Sequence, residues 1–338
     1  MTNTPVLLFH AHYLGIHAQH NKHPQPAFGC TRIMSHWLPL VSSASLQANE
    51  QQAHLPAGWA VAGAALHATL QVFGDMDEAG AFVLPPNITH VVIEVGANAR
   101  NWLWDETVPA SIPGILPNTR VRDQPHVLLI AFEPLLDKYA AYLSMLTHSD
   151  SLWPPPPGWS VRDRAIVLPF AVAPSRDASS DKSHRAGTLH VADVDGCSSL
   201  RAMDRERISG RWNNTALMRY CGHRARRVRV PTVSLETVVN VWLAGREVSF
   251  VKIDAQGFDL EVAQSAGARG ASKIRAMKLE VTADECRNGY IGASTCSPTV
   301  DGMRNLGFEP IAGVDCKTVR WRNHGCAADV IFERGGRA

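Results

Sequence analysis

The chain has 338 residues, of which 45% are hydrophobic and 19% are charged. This is the composition of a globular protein, and the length suffices for one large α/β domain with an extension or for two small domains. The formal net charge is only +2, which argues against nucleic acid as a partner. The apolar runs fall short of the roughly 18 residues of a membrane-spanning helix, so we expect no stable membrane insertion.

The N-terminal region lacks a regular pattern. Histidines recur between His10 and His36 without an accompanying set of carboxylate or thiol ligands, which favours a solvated segment over a metal site. We predict that residues 1–55 form a poorly structured or loosely packed extension and that residues 56–338 form the main domain, with its core at 88–335. Residues 57–74 have the pattern of an amphipathic helix.

From residue 90 onward, apolar runs alternate with helical patterns, which is typical of a parallel sheet with crossover helices. Helices are predicted at 134–146 and 259–268, and LGFEPIAGV (306–314) and ADVIFERG (328–335) predict an antiparallel pair that closes the sheet. The fold class is therefore α/β, with a doubly wound seven-stranded sheet. The five runs that predict buried parallel strands are HVVIEV (90–95), HVLLIAFE (126–133), RAIVLPFAV (164–172), VSFVKID (248–254) and IRAMKLEV (274–281).

Two stretches interrupt this alternation. WPPPPGW (153–159) predicts a stiff polyproline spacer. Residues from about 174 to 230 form a long polar insertion with extended pieces such as GTLHVADV (187–194).

The cysteines leave two interpretations open. No CxxC pair occurs, which argues against a structural zinc site, and we expect no metal. Free thiols would fit a reducing cytosol, the default compartment. One or two disulfides would fit a secretory lumen, with which the Asn-x-Thr triplets at Asn87 and Asn213 are compatible. The cysteines are Cys30, Cys197, Cys221, Cys286, Cys296, Cys316 and Cys326.

Ligands of a doubly wound sheet bind at the carboxyl ends of its strands. The first strand ends in Glu94, and Gly96 behind it allows backbone to approach a ligand closely. The second ends in Glu133, a carboxylate that can accept both hydroxyls of a ribose. This set fits a ligand with a ribose and a positive charge, and S-adenosylmethionine has both. The single glycine of GANARN (96–101) disfavours a nicotinamide cofactor, which needs GxGxxG.

The fourth strand contributes VKIDAQGFDLE (251–261), in which Lys252 and Asp254 alternate to the same side of the strand. Asp254 is expected to point into the same cleft as the first two strand ends. Lys252 either forms an ion pair with Asp254 or keeps it ionised for catalysis, and these roles are compatible. Glu280, which is expected to end the fifth strand, is a second candidate acid or base.

These motifs, in this order, resemble those of the FkbM family of S-adenosylmethionine-dependent methyltransferases. The resemblance covers roughly residues 88–335 and is most specific from Lys252 to Gly267. It implies a Rossmann-like methyltransferase sheet and a small-molecule or glycan acceptor whose hydroxyl is methylated. The matching motifs are VIEVGANARN (92–101), IAFEPLLDKY (130–139), VPTVSLETVV (230–239), VSFVKIDAQGFDLEVAQSAGA (248–268) and MKLEV (277–281).

The resemblance also implies roles for residues. Glu94, Gly96, Ala97 and Asn98 would form the first cofactor loop, and Glu133 would hold the ribose. Asp254 would face the methyl-transfer site. The turn FAVAP (170–174), with Phe170 and Ala171, would lie near the adenine.

The chain departs from the family pattern at three positions. Glu94 stands where the family usually has Asp, Arg100 follows where a glycine is common, and Gln256 replaces the glutamate of KIDxEG. The long spacing from Glu94 to Glu133 also implies an inserted loop.

Three functions follow in order of preference. The first is O-methylation, with Asp254 orienting or deprotonating a hydroxyl of the acceptor. The alternative is a cofactor-binding but catalytically inactive module, suggested by Arg100 and Gln256, and the third is a nicotinamide-dependent oxidoreductase. The basic run RYCGHRARRVRV (219–230) is either a solvated loop or a segment that binds an anionic substrate. The oligomeric state is not predicted.

Overall fold

The computed structural model describes residues 77, 79–98, 103, 119–139, 164–175, 186–204, 221, 225–286, 289–317 and 327–335. The predicted extension (1–55), the helix at 57–74 and the polyproline spacer (153–159) lie outside these residues and stay predictions.

A seven-stranded sheet carries the site, with the strand order β3-β2-β1-β7-β8-β10-β9. The pairs from β3 to β8 are parallel, whereas β10 runs antiparallel to both β8 and β9. The predicted α/β fold with its antiparallel C-terminal pair is confirmed. The strands are β1 (His90–Val95), β2 (Val127–Phe132), β3 (Ala165–Leu168), β4 (Ala171–Val172), β5 (Ala186–Ala192), β6 (Ala225–Val233), β7 (Phe250–Ile253), β8 (Ala276–Thr282), β9 (Phe308–Pro310) and β10 (Ala327–Arg334).

The run at 164–172, predicted as one strand, forms two. β3 ends at Leu168 because Pro169 follows, which lacks the N–H that a strand ladder needs. The chain resumes as β4 in a second sheet of order β4-β6-β5. β5 and β6 pair antiparallel over their length, so part of the predicted polar insertion is an ordered ribbon.

The predicted helix at 259–268 also divides, into α2 (Asp259–Gln264) and α3 (Gly267–Ala271). The break coincides with Gly267, whose left-handed backbone (φ 58°) does not continue a helix. Oγ of Ser265, just before it, accepts the N–H of Leu235 and donates to the carbonyl of Val262. This ties the break to α1 (Leu235–Thr237), which continues as a π-helical turn through Val238–Trp242. α4 (Cys296–Asn305) precedes β9, and residues 136–139 are helical after β2.

Both faces of the sheet are covered. Ile93, Ile130 and Val251 belong to a large cluster that includes Trp242 of the π turn. Val92 and Leu129 point to the other face, in a smaller cluster with Leu103 and Tyr139. The strands therefore read as continuous apolar runs, as two-sided burial requires.

Described cysteines form disulfides, which was one of the two interpretations left open by the sequence; the other was free thiols. Cys197 is bonded to Cys221, and Cys296 is bonded to Cys316. Cys286 is also disulfide-bonded. Among the described helices, none is long and apolar enough to cross a membrane.

Candidate active site

A cleft lies at the carboxyl ends of β1, β2 and β7, where ligands of this class of sheet bind. Its remaining wall comes from β4, from β5 and from the segment that follows β5. The described residues that line it are Val95, Gly96, Asn98, Phe132, Glu133, Pro134, Leu135, Phe170, Ala171, Val172, Leu189, Gly196, Ser198, Ser199, Leu200, Asp254, Ala255, Gln256 and Phe258.

Gly96 forms the floor where β1 and β7 end. Its φ is +82°, and a Cβ at this position would lie 2.0 Å from the carbonyl oxygen of Asp254. No other residue type fits so close to a neighbouring backbone. Asn98, two residues later, also has a left-handed backbone (φ 47°). Both Gly96 and Asn98 line the cleft.

Glu133 fixes the second strand end to this turn. Its Oε2 accepts the N–H of Asn98 at 2.6 Å, and its Oε1 accepts the N–H of Leu135 at 2.8 Å. Burial, at 4% exposure, raises the pKa of Glu133 to about 7, although the two backbone donors lower it. Each oxygen retains acceptor capacity toward a ligand in the cleft.

Asp254 lines the cleft beyond the end of β7. Its Oδ1 accepts a hydrogen bond from Nε2 of Gln256 at 2.7 Å. Burial raises the pKa of Asp254, while the Gln256 hydrogen bond and then the charge of Lys252 lower it. The charge of Lys252 therefore favours the ionised form of Asp254, but desolvation is the larger effect.

Lys252 and Glu94 are placed together, below the cleft. Register puts them side by side on β7 and β1, and Nζ of Lys252 lies 3.4 Å from Oε1 of Glu94. The same oxygen accepts the N–H of Leu103 at 3.1 Å. Neither side chain is among the described residues that line the cleft, and neither is that of Ala97, which is fully buried in the smaller core cluster.

Glu280 does not end its strand, contrary to our expectation. β8 continues to Thr282 because β10 pairs with it, placing Asp329 opposite Glu280 and Ala327 opposite Thr282. The side chain of Glu280 is exposed to solvent, although many protein atoms lie near its carboxyl. This desolvation, followed by the negative charges of Asp254 and Asp329, raises the pKa of Glu280 to about 7. Glu280 is not among the described lining residues.

The wall over the cleft is held by contacts that the sequence does not signal. Oγ of Ser199 donates to the carbonyl of Ala255 at 3.3 Å, and Met203 forms a β-bridge with Tyr290. Arg201 forms an ion pair with Glu261 of α2. The insertion thereby contributes Gly196, Ser198, Ser199 and Leu200 to the cleft. These are small or aliphatic residues in an irregular segment, so no motif identified them.

The basic run lies partly in β6. Arg226, Arg227 and Arg229 are exposed there, and Arg227 lies opposite His190 of β5. Burial, and then the charge of Arg227, lower the pKa of His190. None of these side chains is among the described residues that line the cleft. Arg224 lies outside the described residues.

The strand order and the antiparallel β8-β10-β9 edge define a Rossmann-like seven-stranded sheet of the methyltransferase type. No family model and no curated protein matches the chain.

Remote resemblances to solved structures include the following two. One is the fibrillarin pre-rRNA processing protein of Methanococcus jannaschii, with 9% identity, coverage of 75% of this chain and 70% of that chain, and a TM-score of 0.32. The other is magnesium protoporphyrin IX methyltransferase (ChlM) of Synechocystis PCC 6803 with bound SAM, with 7% identity, coverage of 93% and 100%, and a TM-score of 0.33. The case for a function therefore rests on the cleft.

Proposed function

We propose that the chain is an S-adenosylmethionine-dependent methyltransferase of the FkbM type that methylates a hydroxyl of a sugar or another small molecule. The observation that carries this proposal is the convergence of Gly96, Glu133 and Asp254 on one cleft. They come from three strand ends, and each has a distinct chemical use.

The cleft fits the cofactor. Gly96 lets the ends of β1 and β7 lie close together, since a Cβ would overlap the Asp254 carbonyl, and its own backbone lines the cleft. The carboxylate of Glu133 retains lone pairs for the two hydroxyls of a ribose. Phe170, Ala171 and Leu189 offer apolar contact for an adenine ring. A pyrophosphate is disfavoured, because the turn offers one glycine instead of the three of GxGxxG and two carboxylates would repel its negative charge.

Asp254 is the group that acts on the acceptor. When bound, S-adenosylmethionine supplies a methyl group on a positively charged sulfur, which is open to in-line attack. Asp254 lies in the same cleft, where its carboxylate accepts a hydrogen bond from the acceptor hydroxyl and takes its proton. Much of the rate enhancement then comes from holding the hydroxyl in line.

The exposed arginines of β6 suggest a class of acceptor, and the disulfides suggest a compartment. Arg226, Arg227 and Arg229 suit a substrate that carries phosphate or sulfate. Bonded Cys197–Cys221 and Cys296–Cys316 pairs suit an oxidising secretory lumen rather than the cytosol. A small-molecule or glycan acceptor is compatible with both.

Calorimetric titration with S-adenosylhomocysteine, run beside NADH, tests the proposal. We expect micromolar binding of the first and no binding of the second. Binding of NADH alone, or of neither compound, would overturn the cofactor assignment. Glu133→Gln is expected to weaken S-adenosylhomocysteine binding, whereas Glu285→Gln, at an exposed carboxylate, is expected to leave it unchanged.

Transfer is tested separately, with labelled S-adenosylmethionine and a panel of sugars. The Asp254→Asn variant should bind S-adenosylhomocysteine as the parent does but transfer methyl at least about a hundredfold more slowly. If parent and variant transfer at equal rates, Asp254 is not the base. Cofactor binding without transfer to any acceptor would support the inactive-module alternative.

A further inference from the structure

Gln256 connects Asp254 to a buried tyrosine. Its Nε2 lies 2.7 Å from Oδ1 of Asp254, and its Oε1 lies 3.0 Å from Oη of Tyr290. Oη of Tyr290 in turn lies 3.1 Å from the carbonyl oxygen of Cys197. Four groups thus form a continuous chain of hydrogen-bond partners that ends in the cleft.

The tyrosine cannot donate to both of its neighbours at once, because a phenol has one hydrogen. Tyr290 is 5% exposed, and burial together with nearby carboxylates raises its pKa, so the phenol is neutral. Its hydrogen is directed either to Oε1 of Gln256 or to the carbonyl of Cys197.

These two choices correspond to the two protonation states of Asp254. With Asp254 ionised, Tyr290 donates to Oε1 of Gln256, and Nε2 of Gln256 donates to the carboxylate. With Asp254 protonated, the side-chain amide of Gln256 rotates by half a turn. Asp254 then donates to Oε1 of Gln256, and Nε2 of Gln256 donates to the phenol oxygen of Tyr290. The phenol hydrogen of Tyr290 is then donated to the carbonyl of Cys197. Along this chain, each donor meets an acceptor in either state.

We propose that Gln256 is a positioning residue whose amide reverses when Asp254 takes up a proton, so that the carboxyl stays in place before and after methyl transfer. This rests on the proposed function. In that step the acceptor oxygen forms a bond to the methyl carbon, the bond from carbon to sulfur breaks with its electron pair left on sulfur, and the hydroxyl proton moves to Asp254.

The identity of residue 256 supports this role. Gln256 has a left-handed backbone (φ 54°), a conformation that side chains other than glycine and asparagine rarely adopt. Glutamate would have the same length, but an ionised carboxylate has no hydrogen to donate to Asp254 and would repel it. The glutamine that departs from the family pattern is thus the residue type that serves both states.

Other charged groups also act on Asp254. Lys252 of β7 and Lys278 of β8 favour the ionised form, and Asp329 of β10 opposes it. Asp259 of α2 and Glu280 of β8 are coupled to it by like charge. The substitutions below leave these five groups in place, so a change in titration reports the amide.

The test is an NMR titration of the full chain without cofactor or acceptor, so it does not depend on the proposed activity. Selective labelling follows the side-chain carboxyl carbon of Asp254, assigned by Asp254→Asn, and the side-chain amide of Gln256, assigned by Gln256→Met. In the parent, we expect the Gln256 amide resonances to change with the same midpoint as the Asp254 carboxyl. A Gln256 amide that does not respond while Asp254 titrates overturns the proposal.

Two variants separate the donor from the rest of the chain. Gln256→Met keeps the length of the side chain but removes the donor, so the Asp254 midpoint should move to higher pH. Tyr290→Phe removes one hydrogen bond from the ionised state and two from the protonated state and leaves the donor to Asp254 in place, so the midpoint should move to lower pH, opposite to Gln256→Met. Equal midpoints in parent and Gln256→Met, or displacement in the same direction in both variants, would overturn the role. If Gln256→Met does not fold, the parent's amide response decides.

Discussion

Lys252 of β7 and Glu94 of β1 form a buried ion pair directly below the cleft, with Nζ and Oε1 3.4 Å apart and side chains 8% and 1% exposed. The pair joins the two strands whose ends carry Gly96 and Asp254. Because both charges are removed from water, each helps to compensate the other.

Removing one partner of this pair is therefore expected to be costly. In Lys252→Met the carboxylate of Glu94 keeps the N–H of Leu103 but loses the cation at 3.4 Å, which should lower the free energy of unfolding by about 3 to 5 kcal/mol. Urea unfolding measures this. The double variant Glu94→Gln/Lys252→Met should recover much of the loss, and a double variant no more stable than the single one would contradict the assignment.

A second prediction concerns Glu133. Its pKa is about 7 in the folded protein, above the ordinary value of 4.5 for a glutamate. An acid with a raised pKa binds its proton more tightly when folded, so its stabilisation is complete below pH 4.5 and is lost as pH rises through 7. The loss amounts to at most about 3 to 4 kcal/mol, since one pKa unit corresponds to about 1.4 kcal/mol.

Glu133→Gln removes this titration, so the stability of the parent relative to the variant should fall between pH 4.5 and 7. Urea unfolding of both proteins at several pH values gives the difference. Glu285→Gln, at an exposed carboxylate, is the matched control and should run parallel to the parent. A constant difference between parent and Glu133→Gln would contradict the raised pKa.

The sequence predicts the strands well where burial on both faces makes them continuous apolar runs. β1 occupies the predicted residues 90–95, and β2 and β7 differ from their predictions only at the ends. The prediction of one strand at 164–172 is wrong because the apolar pattern continues across Pro169, whereas the strand ends at Leu168.

The site is predicted only in part, for a related reason. Gly96, Glu133 and Asp254 follow strands, so the topology places them at one edge. Glu94 precedes the turn by two residues, and its position one row below the cleft depends on its pairing with Lys252 across the sheet. Tyr290 and Ser199 reach the site through loop contacts, which leave no periodic pattern in the sequence.

A third prediction separates close packing from backbone strain. Gly96 and Gly80 share a φ of +82°, but a Cβ would lie 2.0 Å from the Asp254 carbonyl at Gly96, whereas nothing lies within 4 Å of one at Gly80. Gly80→Ala should cost about 1 to 2 kcal/mol from its left-handed backbone alone. Gly96→Ala should cost clearly more and weaken S-adenosylhomocysteine binding. Equal losses in chemical unfolding would show that β1 and β7 separate freely at their ends.

Two of the disulfides allow a paired comparison, because they close loops of similar length, with sequence separations of 24 for Cys197–Cys221 and 20 for Cys296–Cys316. Loss of either should therefore destabilise the chain by a similar amount, about 3 kcal/mol in the chain-entropy description. Their positions differ, since Cys197 lies between Gly196 and Ser198 of the cleft wall, whereas Cys296 begins α4.

Cys197→Ser/Cys221→Ser should accordingly weaken S-adenosylhomocysteine binding, because the wall of the cleft loses its covalent anchor. Cys296→Ser/Cys316→Ser should lose stability while its binding stays near that of the parent. Calorimetric titration and urea unfolding of the two double variants under the same conditions check both statements. If the two variants bind alike, the segment from Gly196 to Leu200 is held by its contacts with Ala255 and Tyr290 rather than by the disulfide.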